Sequence, residues 1–187
     1  AAARCAVFLT VDMNLFKGIE QEAIDNSAGR NAAVIYRNTK LIMTVAVIDT
    51  GIDTDHPEFA GRISEYSYNA TEDKIVKDYL LADGSYDWSL IEDEQGHGTA
   101  VAGVLAAAMD GNGIVGIAPN VEILVIKAKC VDGQFNPSDL VFGIYYAIER
   151  DVQVVNMSFG TYASVNPFAD AVQLAYDSDI ICVAAAG

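Results

Sequence analysis

Basic residues are scarce. Eleven Lys and Arg face 26 Asp and Glu in 187 residues, a formal net charge of −15. A surface so short of cations does not neutralise a phosphate backbone, which argues against a nucleic-acid partner. Long hydrophobic runs are missing too. Every apolar stretch is broken by Asp, Glu, Lys or clustered Gly before it reaches the roughly 18–20 residues that cross a bilayer, so no membrane span is expected. Cysteine is limited to Cys5, Cys130 and Cys182. An odd number, widely spaced and without a CxxC pair, suggests neither a disulfide framework nor a zinc site, and three free thiols are the simplest expectation. Histidine occurs only as His56 and His97, so chemistry that needs an imidazole has two residues to choose from. Repeats and low-complexity tracts are absent, and Ala1–Val11, with one Arg and a short apolar stretch, falls short of a secretory signal. What the chain does have is apolar mass: 52% hydrophobic against 20% charged residues is enough to bury the core of one domain.

That mass is organised. Four β-branched apolar runs, Ile42–Ile48, Val121–Ile126, Val152–Val155 and Ile180–Ala185, are continuous rather than alternating, as expected of strands covered on both faces. Cys182 falls inside the last of them and reads as a small core residue. Helical patterns lie between the runs: Thr99–Met109, ending at Asp110-Gly111; Leu140–Arg150, behind Ser138 as its cap; and Phe168–Tyr176. Strand alternating with helix predicts a parallel sheet in an α/β domain. Glu65–Glu94 has many turn formers and little periodicity, and predicts long surface loops with one short strand or helix. In the first 42 residues, Val7–Val11 reads as a strand and Lys17–Ala28 as a weak helix. Thirteen of the 26 acids, with only three bases, lie between Asp49 and Glu94, which fits either a solvated acidic loop region or a local site for cations or basic ligands.

Two segments carry chemistry. Val45–Gly51 is a buried strand that ends in an acid and a turn. Ligands and catalytic groups collect at the carboxyl ends of strands in open α/β sheets. Asp49 is expected there partly buried, with the N–H groups of Thr50 and Gly51 holding it ionised; a turn-capping Asp fits the same residues. Gln95–Gly103 places His97 between two glycines at the start of a small-residue helix. The positive end of that helix disfavours imidazolium and helps to keep the ring available as a base, although a structural His also fits. His56, in Asp55-His56-Pro57-Glu58, reads as a turn residue. Asp49-Thr50-Gly51 is also the aspartic-peptidase signature, but that reading requires an all-β chain and a second copy of the motif; the helical run after His97 argues against it.

In this order the two segments resemble the subtilisin-like serine peptidases, or subtilases. The likeness continues through Ile52–Pro57, Gly113–Pro119, Val154–Gly160 and the apolar run Cys182–Gly187, so that it spans about Met43–Gly187. The acid-then-base order is that of the subtilisin triad. The resemblance implies that Asp49 orients His97, that His97 is the general base toward a serine, and that Ser158, Phe159 and Gly160 line a cleft whose backbone pairs with an extended polypeptide substrate. It also implies calcium as a structural ion, with Asp110 and Glu58 as carboxylate ligands, and no organic cofactor. The family's oxyanion Asn and its nucleophilic Ser, set among small residues, have no counterpart here. The expectation is therefore a three-layer α/β fold with a mostly parallel central sheet, truncated on its C-terminal side. Residues 43–187 form a partial catalytic domain, inactive alone, or else an inactive peptide-binding relative, and residues 1–42 are unassigned. Family likeness points to secretion, and the unpaired thiols fit a reducing compartment as the alternative.

Overall fold

The computed structural model describes residues 43–160 and 166–185. The Val7–Val11 and Lys17–Ala28 expectations lie outside the described residues.

Strand β1 (Thr44–Asp49) runs through the middle of a six-stranded sheet. It pairs in parallel with β4 (Glu122–Lys127) on one side and β7 (Val154–Met157) on the other. The order is completed by β2 (Tyr68–Asn69) and β3 (Lys74–Ile75) beyond β4, and by β8 (Ile181–Ala184) beyond β7. Only the β2–β3 pair is antiparallel. A separate ribbon pairs β5 (Cys130–Val131) with β6 (Gln134–Phe135). The three helices of the described residues are α1 (His97–Ala106), α2 (Pro137–Glu149) and α3 (Asn166–Asp177).

Alternation along the strands separates two apolar layers. Ala46, Ile48, Leu124, Ile126 and Val155 pack with Leu140, Ile144 and Ala147 of α2 and with Ala171 and Ala175 of α3. Val45, Val47, Ile123 and Val125 are buried on the opposite face, the side on which Asp49 meets α1. This is the expected three-layer arrangement, and it excludes the all-β chain that an aspartic peptidase requires. Gly143 lets α2 close on the sheet: a Cβ there would come within 2.8 Å of the Ile126 side chain.

Several local expectations change. The cap of α2 is Asn136, whose side chain accepts the Ser138 N–H at 3.2 Å, with Pro137 opening the helix. Helix α1 begins at His97 and stops at Ala106, although the apolar run continues to Met109. The N–H groups of Ile117 and Ala118 take the Val104 and Leu105 carbonyls at 3.1 and 2.8 Å, so a further turn has no acceptors left. The 65–94 segment is more ordered than its composition suggests. It forms β2, β3 and short 3-10 turns at Val76–Asp78 and Trp88–Ile91, and buries Tyr68, Val76 and Ile91. Elements of two to four residues leave no periodicity to read. Strand β8 is not covered on both faces: Ile181 and Ala184 are exposed and Cys182 is half-buried rather than core, since β8 is the last strand of the described sheet.

Arg62 fastens the end of α1. Its guanidinium donates to the carbonyls of Ala106, Glu58 and, at 2.9 Å, Pro119. Arg62→Met keeps the aliphatic stem and orphans all three acceptors. The substitution is expected to cost about 2–3 kcal/mol, read as a melting temperature lower by roughly 5–10 °C in calorimetry of the full-length protein.

Candidate active site

Strand β1 delivers Asp49 to the carboxyl edge of the sheet, where it is 1% exposed. Helix α1 starts at the same place with His97, whose side chain remains 45% exposed. Nδ1 of His97 donates to Oδ1 of Asp49 at 2.7 Å. The carboxylate fixes the tautomer and leaves Nε2 as the free basic nitrogen. Burial holds the Asp49 carboxyl above its ordinary value, the His97 hydrogen bond and the Thr50 N–H, at 2.8 Å from Oδ1, offsetting only part of the rise. The expected second N–H, from Gly51, does not reach the carboxylate, and Oδ2 has no hydrogen-bond partner. Glycine makes the approach possible. A Cβ on Gly98 would run into the Gly51 carbonyl and lie 3.1 Å from the Asp49 Cβ.

Ser158, Phe159 and Gly160 follow β7. The register Val47 to Asn156 brings them off the same edge of the sheet as Asp49. Asn156 is buried and donates to the Ser158 hydroxyl at 3.0 Å. The Phe159 ring sits between Phe135 and Phe168, with centroids at 5.2 and 6.0 Å, and Gly160 is exposed. A cavity of about 290 Å³ opens beside the end of β1, lined by Thr50, Asn69, Thr71, Gln95, Lys127 and Cys130 among others. A half-exposed imidazole whose Nδ1 is held by a buried carboxylate has Nε2 free to take up or give a proton.

The subtilase family model matches residues 42–187. This chain belongs to the subtilase family. The intracellular serine protease of Paenibacillus polymyxa is 40% identical to this subtilase over 143 residues, which is 76% of the chain and 40% of that protein. The minor extracellular protease Epr of Bacillus subtilis is 37% identical over 144 residues, 76% of the chain and 19% of that protein. The crystal structure of fervidolysin from Fervidobacterium pennivorans, described as a keratinolytic enzyme related to subtilisin, matches with a TM-score of 0.63 at 26% identity, over 89% of this chain and 23% of that one. The subtilase sequence thus spans 40% or less of these two curated relatives, and it resembles one intracellular and one extracellular protease.

Sequence reasoning missed Asp93, which lay unremarked in the acidic stretch. In this subtilase its Oδ1 accepts the Thr50 hydroxyl at 2.8 Å and the N–H groups of Gln95 and Gly96 at 3.0 and 2.9 Å. Its Oδ2 accepts the Thr99 N–H and hydroxyl at 2.9 and 2.7 Å. Burial raises the Asp93 carboxyl, but these donors outweigh it and hold it at about 2. Asp139 was missed as well. It is buried and accepts from Thr71, Asn136 and the Lys129 N–H at 2.6, 2.7 and 3.1 Å, fastening one wall of the cavity.

Much of the remaining acid has internal work. Glu65 accepts from Lys77 and Tyr86, Asp73 from Tyr68, and Glu92 from Thr54. Among the described residues no group of three or more His, Cys, Asp and Glu is placed to hold a metal ion. Glu58 and Asp110, the carboxylate ligands that the resemblance implied for calcium, lie in the loops on either side of the end of α1. Glu58 accepts the Ala108 N–H at 2.8 Å, and Asp110 accepts the Asn112 N–H at 2.9 Å. His56 is structural, as expected: its Nδ1 accepts the Glu58 N–H at 3.3 Å and its ring packs on Phe59.

No helix among the described residues is long and apolar enough to cross a membrane.

Proposed function

We propose that the full-length protein is a serine endopeptidase that hydrolyses peptide bonds with an Asp–His–Ser triad, of which Asp49 and His97 are the acid and the base. The 2.7 Å bond between a buried carboxylate and a half-exposed imidazole supports this reading most directly. Nε2 of His97 takes the proton from the serine hydroxyl as that oxygen attacks the substrate carbonyl, and returns it to the leaving amine. Asp49 stays ionised, keeps the ring oriented and stabilises the imidazolium that forms. Among the described residues no serine hydroxyl hydrogen-bonds His97. We therefore assign the nucleophile, together with the oxyanion-hole side chain, to residues other than the described ones. The substrate is an extended polypeptide laid against the backbone of Ser158–Gly160, which fits their position beside the end of β7.

A serine-directed phosphonate tests this. The full-length protein is expected to take up one equivalent and to cleave an unfolded protein substrate, with both properties lost in His97→Ala. A folded full-length protein that binds peptide and neither labels nor cleaves would overturn the reading in favour of a binding protein without catalysis.

A further inference from the structure

The acid and the base come from segments 48 residues apart and must meet within a few tenths of an ångström. Little holds the Asp49 carboxylate itself. One oxygen carries both of its hydrogen bonds, from His97 and the Thr50 N–H, and the other has none. Its orientation therefore depends on how firmly Thr50 is held. Thr50 is tied by its hydroxyl, which accepts the Gly98 N–H at 2.9 Å and donates to Asp93 at 2.8 Å. The same Asp93 carboxylate collects the turn that leads into α1, and its own N–H reaches the Ile52 carbonyl at 3.1 Å. Thr99, its partner on the helix, uses its hydroxyl oxygen to accept the Asp53 N–H at 2.9 Å. The bonds form a closed ring: the residue after the acid, one carboxylate, the residues on either side of the base, and back.

We propose that Asp93 is a positioning residue that fixes, through the Thr50 hydroxyl and the first turn of α1, the separation and angle at which Asp49 meets His97. This rests on the reading of Asp49 and His97 as acid and base, and goes beyond it in naming what sets their geometry. Asp93 touches neither reacting group and acts only through Thr50 and the helix start. Because the ring has donors and acceptors in a fixed sense, shape alone is not enough. Valine at position 50 matches threonine in volume but neither donates nor accepts, and asparagine at 93 replaces one acceptor oxygen by a donor.

The test uses the full-length protein with Thr50→Val, Thr50→Ser and Asp93→Asn, each first shown by its melt to be folded. Thr50→Val and Asp93→Asn are expected to lower kcat by roughly 10- to 100-fold with KM within about twofold, since a displacement near 1 Å costs about that much. Thr50→Ser is expected to recover most of what Val loses. The second readout does not need turnover: the downfield proton NMR signal of the His97 Nδ1–H, sharp in the parent protein and in Thr50→Ser, is expected to broaden or vanish in the other two. Unchanged kcat with an unchanged signal overturns the proposal, as does an equal loss in Ser and Val. A parent protein that shows the signal, loses it in the Val and Asn variants, and yet hydrolyses nothing would uphold the positioning role while removing the peptidase reading.

Discussion

His97→Ala in the full-length protein is expected to reduce kcat/KM by on the order of 10⁶-fold, and Asp49→Asn by about 10⁴-fold. The two are unequal for a physical reason. Without the imidazole, nothing accepts the serine proton at neutral pH. With Asn at 49 the ring remains near its place, but the amide stabilises the wrong tautomer and offers no charge to the imidazolium. The losses do not add, because both residues act on the same proton: the double variant is expected to be little worse than His97→Ala alone. Steady-state kinetics on a chromogenic peptide checks all three. A His97→Ala enzyme within tenfold of the parent would remove His97 from the chemistry.

Gly98→Ala is expected to be damaging without touching a reacting atom. The added Cβ has no room: it meets the Gly51 carbonyl and lies 3.1 Å from both the Asp49 Cβ and the Gly51 N. These neighbours are mostly backbone at the end of the central strand, so no side chain can swing aside. Helix α1 must move away from β1, stretching the 2.7 Å contact beyond hydrogen-bonding length. A drop of at least 100-fold in kcat is expected from displacement alone, with about 1–3 kcal/mol lost from overpacking. Gly96 is the contrasting control. It has φ +81°, and no atom lies within 4 Å of where a Cβ would stand, so an alanine there strains the backbone without a clash; a smaller effect at 96 than at 98 distinguishes close approach from general disturbance of the turn.

What the sequence disclosed and what it hid follow from how each residue acts. The four apolar runs became sheet strands, and in β1, β4 and β7 the continuous burial that their composition suggests is present. The helices were found to within a few residues. Asp49 and His97 were legible because each stands alone in an otherwise apolar or glycine-rich setting. Asp93 was hidden by its neighbours: it lies in Glu92-Asp93-Glu94, where nothing distinguishes the acid that accepts five donors from the two beside it. Strands β2 and β3 were hidden by brevity, since two residues show no alternation. The stop of α1 at Ala106 was hidden because it is imposed from a distance, by Ile117, Ala118 and Arg62.

The central place of β1 also governs how the domain comes into being. Its two neighbours arrive late: Thr44 bonds Glu122 across 78 residues and Gln153 across 109. Parallel pairing at such separations carries a loop-closure cost before any contact rewards it, so folding is slow compared with that of a hairpin-rich domain of equal size. During synthesis, residue 49 leaves the ribosome well before either strand that will flank it exists. The first of the described strands therefore stays unpaired until the segments that form β4 and β7 have followed it.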